Sequence, residues 1–256
     1  MKTKTIGVII CCAWLLISGF QQKGWAQKPT PQQPPERIVK EALRFAEGRK
    51  FSFRGKRKSA WMECYVFIGD TVHIEVDAVT EKVTWVLYSK PYPIISNGKL
   101  IDIDEVERKV KFWLKEKGID LKDWNLEARK VYGERIFFEW AKRSPNGVRL
   151  PCVLSVDVDV FKVNGKGIGI ASFSWIERKT EVSLEPTIRE EEAVKIATKT
   201  AGFSQARVVE QDIIVWFGDE GHQELWWIIT LEENKIRRTV VIDAHTGRIK
   251  AVYHYK

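Results

Sequence analysis

Ile242-Asp243-Ala244-His245-Thr246-Gly247-Arg248-Ile249 is the stretch whose reading decides the fold, because it has an earlier copy. Val76-Asp77-Ala78-Val79-Thr80-Glu81-Lys82-Val83 repeats the Asp, Ala and Thr in register, with β-branched residues on both sides. Long-range self-similarity marks a chain built from repeated small units. Asp and Thr side chains can close a turn by bonding nearby backbone N–H groups. Gly247 permits positive φ there, and Ala244 permits close packing under the turn. Asp77, Ala78, Thr80, Asp243, Ala244, Thr246 and Gly247 are therefore read as a structural turn between two strands, not as a reactive site. Glu81 stands where the second copy has Gly247, so the first turn is expected to be different or strained.

Working outward, each copy closes a run of strand-like segments that follows a helix. Asp159, in Val158-Asp159-Val160, lies 82 residues after Asp77 and 84 before Asp243, and marks a divergent middle copy without the Ala-x-Thr. Three helices are predicted from apolar spacing and end signals. The first spans about Glu36–Glu47, with Ile38, Ala42 and Ala46 as its stripe, Val39 and Leu43 beside them, and Gly48 as its stop. The second spans about Ile103–Lys117, opened by Asp102 and Glu105, striped by Val106, Val110, Trp113 and Leu114, and ended by Gly118. The third spans about Ile188–Ala201, opened by a Thr187/Glu190 box, with Ala193, Ile196, Ala197 and Ala201 buried.

Strands are predicted at 61–68, 72–77 and 82–88, at 135–143, 150–163 and 167–175, and at 208–217, 224–231, 237–243 and 248–255. The turns Gly69-Asp70, Pro145-Asn146-Gly147 and Asn164-Gly165 punctuate them. Glu224 to Leu231 is apolar on both faces, which predicts a central strand. The fold class is α+β: tandem units at 36–92, 102–177 and 187–256, each one helix packed on an antiparallel meander. The first unit is the shortest and is expected to lack a strand.

The N-terminus reads as a signal peptide over 1–26. Lys2 and Lys4 precede an apolar core from Val8 to Phe20, and Gly24-Trp25-Ala26 sets small residues for a cut after Ala26. Residues 27–35 form a Pro/Gln-rich linker. An uncleaved anchor is the alternative. Removing Lys2, Lys4 and Lys23 lowers the net charge from +8 to +5, a modestly basic balance that favours anionic neighbours. Cys64 and Cys152 remain in an oxidising compartment. They either close an 88-residue loop, worth about 4–5 kcal/mol in the loop-entropy picture, or stay as two buried thiols.

Thr187 to Lys256 resembles the PepSY domain, a small helix-plus-sheet module of exported bacterial proteins. The resemblance rests on the turn phrase, on Glu191-Glu192-Ala193-Val194-Lys195-Ile196-Ala197 and on Trp227-Ile228-Ile229 between them. The middle unit is similar to the YcdB/YcdC repeat through Phe137-Phe138-Glu139-Trp140, Asn146-Gly147 and Val156-Asp157-Val158. The first unit matches only in its turn. The resemblance implies a secreted or cell-envelope protein, of a kind associated with peptidase pro-regions and with local restraint of peptidases.

The residues offer little chemistry. His73, His222, His245 and His254 form no metal-binding pair, no C-x-x-C occurs, and no nucleophile elbow or phosphate loop is present. Gly165-Lys166-Gly167-Ile168-Gly169 is read as turn and strand. The expectation is a non-enzymatic protein with no catalytic residue, no metal, no cofactor and no nucleic-acid partner, which binds an envelope protein, a peptidase first. The alternative is an anionic-polymer, glycan or membrane-surface module. Its contacts would be Arg49, Lys50, Arg54, Lys56, Arg57 and Lys58, with Phe51 and Phe53 among them. Nine tryptophans of the mature chain are read mainly as core, and as a stacking platform if several share an exposed face.

Overall fold

The computed structural model describes residues 33–96, 102–162 and 166–255. The predicted signal peptide, most of the predicted linker and the predicted Asn164-Gly165 turn lie outside the described residues. The fold is α+β, with three helices and antiparallel sheet among the described residues. A helix followed by four strands occurs three times. Helix α1 (Glu36–Ala46) precedes β1 (Ser52–Lys58), β2 (Glu63–Ile68), β3 (Val72–Asp77) and β4 (Val83–Ser96). Helix α2 (Ile103–Glu116) precedes β5 (Asn125–Tyr132), β6 (Arg135–Arg143), β7 (Arg149–Lys162) and β8 (Lys166–Glu177). Helix α3 (Glu190–Ala201) precedes β9 (Arg207–Phe217), β10 (Gln223–Glu233), β11 (Ile236–Asp243) and β12 (Ile249–Tyr255). Within each set the strands pair in sequence order. The first set thus has four strands, not three.

Two strands escape the sequence reading. The cationic run Ser52–Lys58 is β1, paired antiparallel with β2, and β5 pairs with β6. The helices keep their stripes with small corrections. In α1 the buried residues are Ile38, Ala42, Phe45 and Ala46. Leu43 is 58% exposed, because a residue five positions after Ile38 falls off the stripe. In α2 the stripe is as read, and Asp102 caps the Asp104 N–H. Helix α3 starts at Glu190, later than its Thr187 box implies. Its N-cap is Arg189, with no side-chain cap, and the Ile188 N–H instead donates to the Ala244 carbonyl at 2.9 Å.

The chain divides into two compact units: Gln27–Lys142 with Cys152–Glu177, and Arg143–Pro151 with Arg178–Lys256. In the N-terminal unit α1 and α2 share one core with the sheet. Phe45 stacks on Phe173 at 5.3 Å and meets Trp113 edge-on at 6.0 Å, while the Tyr88 hydroxyl donates to the Phe45 carbonyl at 2.6 Å. Strand β4 pairs with β8, joining the first two meanders in the order β1-β2-β3-β4-β8-β7. Cys64 on β2 and Cys152 on β7 form no disulfide and are both buried. Four strand steps at about 4.8 Å hold them far beyond the roughly 7 Å Cα limit of a bridge.

In the C-terminal unit β10 lies between β9 and β11, the central position its apolar faces predict. Helix α3 buries Ala193, Ala197 and Ala201 against Val215, Leu225, Ile229, Leu231, Val240 and Ile242. The Trp227 indole donates to the Ile188 carbonyl at 2.8 Å, tying the chain before α3 to the sheet.

Candidate functional site

The repeated turn phrase has one geometry in both copies. Asp77 Oδ1 accepts the N–H groups of Val79 and Thr80, each at 2.7 Å. Asp243 Oδ1 accepts those of His245 at 3.0 Å and Thr246 at 2.8 Å. The Ala78 N–H donates to Glu63 O at 2.8 Å, and the Ala244 N–H donates to Leu225 O at 2.7 Å, so each turn is also stitched to the neighbouring strand. Gly247 has φ 73° and Glu81 has φ 58°. The first turn is therefore the same turn, held by a residue in the left-handed region at a cost of about 1–2 kcal/mol. Burial pushes the Asp243 carboxyl up, but the Thr246 and His245 N–H groups, the Thr246 hydroxyl and Lys250 outweigh it and hold it below the usual range.

Next to each turn is a β-bulge in the same register. In the first meander Glu75 and Val76 face Trp85 and Val83, leaving Thr84 extra. In the third, Val241 and Ile242 face Ala251 and Ile249, leaving Lys250 extra. In the second, Asp157 and Val158 face Ser172 and Ile170, leaving Ala171 extra. The positions facing the bulges, Glu75 and Val76, Asp157 and Val158, and Val241 and Ile242, recur at the same 82- and 84-residue spacing as the three aspartates. Asp159 itself makes no turn, because β7 runs on past it. It pairs with Gly169 in the ladder and accepts Arg135 Nε at 2.9 Å.

A bulge re-aims side chains, and the three extra residues differ in what they meet. Thr84 is buried, donates to the Glu75 carbonyl at 3.3 Å and lies 3.6 Å from Cys64 Sγ. Burial there pushes the Cys64 thiol up to about 12. Ala171 is buried. Lys250 instead reaches across the sheet face that α3 leaves uncovered, where its Nζ lies 2.5 Å from Glu224 Oε2. The same carboxylate oxygen accepts the Trp226 indole N–H at 2.7 Å.

That face is a pocket of about 120 Å³ within the C-terminal unit. Ile214, Ile228 and Val241 form its apolar base, with Trp216, Trp226, Ala251 and Tyr253 packed against them. Arg149, Asp219 and Lys250 supply charge at its margin. Beside it Arg143 grips the buried Asp212 with two nitrogens, at 2.7 and 3.0 Å. The Thr230 and Thr239 hydroxyls satisfy each other at 2.7 Å. Fixed polar groups and an aromatic lining make a surface suited to holding an amphipathic ligand by contact. The lining was missed in the sequence. Its signal was present in the even-numbered residues of β10, Trp226 and Ile228, which lie opposite the helix-facing Leu225, Trp227 and Ile229.

The corresponding face of the N-terminal unit is polar. The buried Glu75 carboxylate has Arg57 Nη2 at 2.5 Å and His73 Nε2 at 3.2 Å, and His73 meets the Trp85 ring edge-on at 4.7 Å. Cross-strand pairing continues from Trp85 to Ser174 and Ser155, and from Leu87 to Ser172 and Asp157. Burial raises Asp157 above the usual carboxyl range, although the Ser172 hydroxyl donates to it at 2.7 Å.

The six cations of the basic run do not act as one cluster. Arg49 lies over the Tyr88 ring at 4.6 Å and donates to the Lys90 carbonyl at 3.0 Å. Lys56 pairs with Glu63 at 3.1 Å, and Arg57 pairs with Glu75. Lys50, Arg54 and Lys58 are exposed and make no ion pair among the described residues. Phe51 and Phe53 turn inward and pack on Phe67 at 5.4 and 5.6 Å, so they are not surface contacts. Trp113, Trp140, Trp175 and Trp227 are core. Trp216 and Trp226 are partly exposed and share the C-terminal pocket. Among the described residues no three His, Cys, Asp or Glu side chains group as a metal site, and no helix is long and apolar enough to cross a membrane.

No family model matches the chain, and no curated protein matches it. Among solved structures it is similar to the Bacillus megaterium YpeB C-terminal domain, at 16% identity and a TM-score of 0.49, over 89% of this chain and all of that one.

Proposed function

We propose that this is an exported, non-catalytic binding module that holds a cell-envelope protein, a peptidase first among them, against the open face of its C-terminal sheet. The observation that carries the reading is the pocket formed by Trp216, Trp226 and Tyr253 over Ile214, Ile228 and Val241. Apolar and aromatic side chains gathered on a face that no helix among the described residues covers mark contact surfaces, and Trp and Tyr supply most of the energy in such contacts. The PepSY-like turn and helix of Thr187–Lys256 support the same reading. Restraint of a peptidase would be steric: a bound module blocks approach to the catalytic cleft without chemistry of its own.

The test compares the mature protein with its Trp226→Ala and Tyr253→Ser variants in crosslinked capture from the envelope, after circular dichroism shows that each is folded. Capture of a defined partner by the parent, lost in both variants, is the expected result. Equal capture by all three would overturn the reading. Inhibition assays on the captured peptidase then separate restraint from simple binding.

A further inference from the structure

We infer that the partner enters as an extended segment that adds a strand to β12, and that the segment alternates apolar and acidic residues. This rests on the reading of the C-terminal face given above and specifies how that face is used. Among the described residues β12 pairs only with β11, so its outer row of backbone N–H and C=O groups lies at a sheet edge. The groove is continuous with that edge, since Ala251 and Tyr253 belong to β12 and line the pocket beside Trp226 and Val241. A strand added there sets every second side chain on the pocket's face, extending a surface already half built.

The edge of the N-terminal sheet shows what a protected edge looks like. Strand β1 has Arg54, Lys56, Arg57 and Lys58 within seven residues and a register break between Phe53 and Gly55. Charge and bulges of that kind discourage strand pairing. Strand β12 has a single lysine, and Glu224 draws that lysine over the face. The stretch Arg248 to Lys256 contains two lysines, an arginine and no acid, so acids on an incoming strand meet complementary charge. A second copy is the poorer occupant. Antiparallel pairing of two β12 strands lays two copies of the basic stretch Arg248 to Lys256 side by side with no acid between them, so their lysines and arginines repel.

The experiment uses the full mature protein and a short blocked peptide alternating valine and glutamate, beside a copy N-methylated at every second residue. The unmethylated peptide is expected to bind and to slow hydrogen exchange of β12 amides about tenfold or more, as newly bonded amides do. The methylated copy is expected to lose that binding. Equal binding of both peptides, or binding that leaves β12 exchange unchanged, would overturn strand addition while leaving contact at the face intact. Binding of neither would also overturn it. Protection of β12 in a dimer of the protein alone would assign the edge to a second copy and overturn it as well. Trp226→Ala, read by envelope capture, reports separately on the face itself.

Discussion

The first and third meanders share a turn and a bulge and differ in what the bulge presents. Asp77 and Asp243 each take two backbone N–H groups, and each turn is followed by one extra residue in the returning strand. In the first meander that residue is Thr84, buried beside Cys64 and facing a sheet surface of charge and hydroxyls. In the third it is Lys250, set at the rim of an aromatic pocket. The backbone device is common to both, and the side chains around it decide whether the sheet face carries charge and hydroxyls or an aromatic pocket.

Removing the turn staples is the strongest way to break the comparison. Asp77→Ala removes a fully buried carboxylate, leaves two N–H groups without their acceptor and should cost about 3 kcal/mol. Asp243→Ala, in a half-buried turn, should cost about 2 kcal/mol. Denaturant unfolding checks both, and losses under about 0.5 kcal/mol would show that the phrase is not what holds the meanders. Because the Asp243 carboxyl is held low, its contribution is fully present above the unfolded value near 3.9 and is lost as pH falls through the folded one. The Asp243→Ala deficit should therefore shrink in acid.

Exchanging the left-handed residues sharpens the comparison at about 1 kcal/mol. Gly247→Glu should destabilise the third turn, while Glu81→Gly should stabilise the first. The exposed Arg37–Glu81 pair at 2.5 Å offsets little of that gain. Opposite signs in thermal melts are the expected outcome, and equal signs would mean that the two turns are not equivalent.

A smaller effect probes the two sheet faces. Burial raises the Asp157 carboxyl, so its ionised form opposes folding: the folded state is favoured below the unfolded value and loses that advantage as pH rises through the raised one. Asp157→Asn should be more stable than the parent at pH 7 and lose the gain below about pH 4. A variant destabilised at both pH values would show that the carboxylate has a charged partner. The smallest expected signal is chemical. With its thiol pushed up to about 12 by burial, Cys64 should resist alkylation at pH 8 in the folded protein and react only after unfolding. Rapid labelling of the folded state would show that solvent reaches Cys64 and contradict its burial beside Thr84.

Much of the scaffold was legible in the sequence, because helices and turns declare themselves locally. The stripe Val106, Val110, Trp113 and Leu114 and the Asp-Ala-x-Thr phrase needed no distant partner to be read. Strand β1 was not legible because its alternation is masked by cations, and only Phe51 and Phe53 packing on Phe67 shows which side faces inward. Strand β5, Asn-Leu-Glu-Ala-Arg-Lys-Val-Tyr, has few β-branched residues and is held by its pairing with β6. The pocket was the least legible feature. Trp216, Trp226, Val241 and Tyr253 come from four strands, and only register brings them onto one face.

Hydrogen exchange on residues 27–256, alone and with the partner that the proposed capture experiment is expected to yield, tests the assignment of the binding face most directly. Slowed exchange confined to Arg207–Tyr255, greatest in β12, with Ser52–Ser96 unchanged, is the result predicted. Slowed exchange in Ser52–Ser96 with β9–β12 unchanged would contradict it.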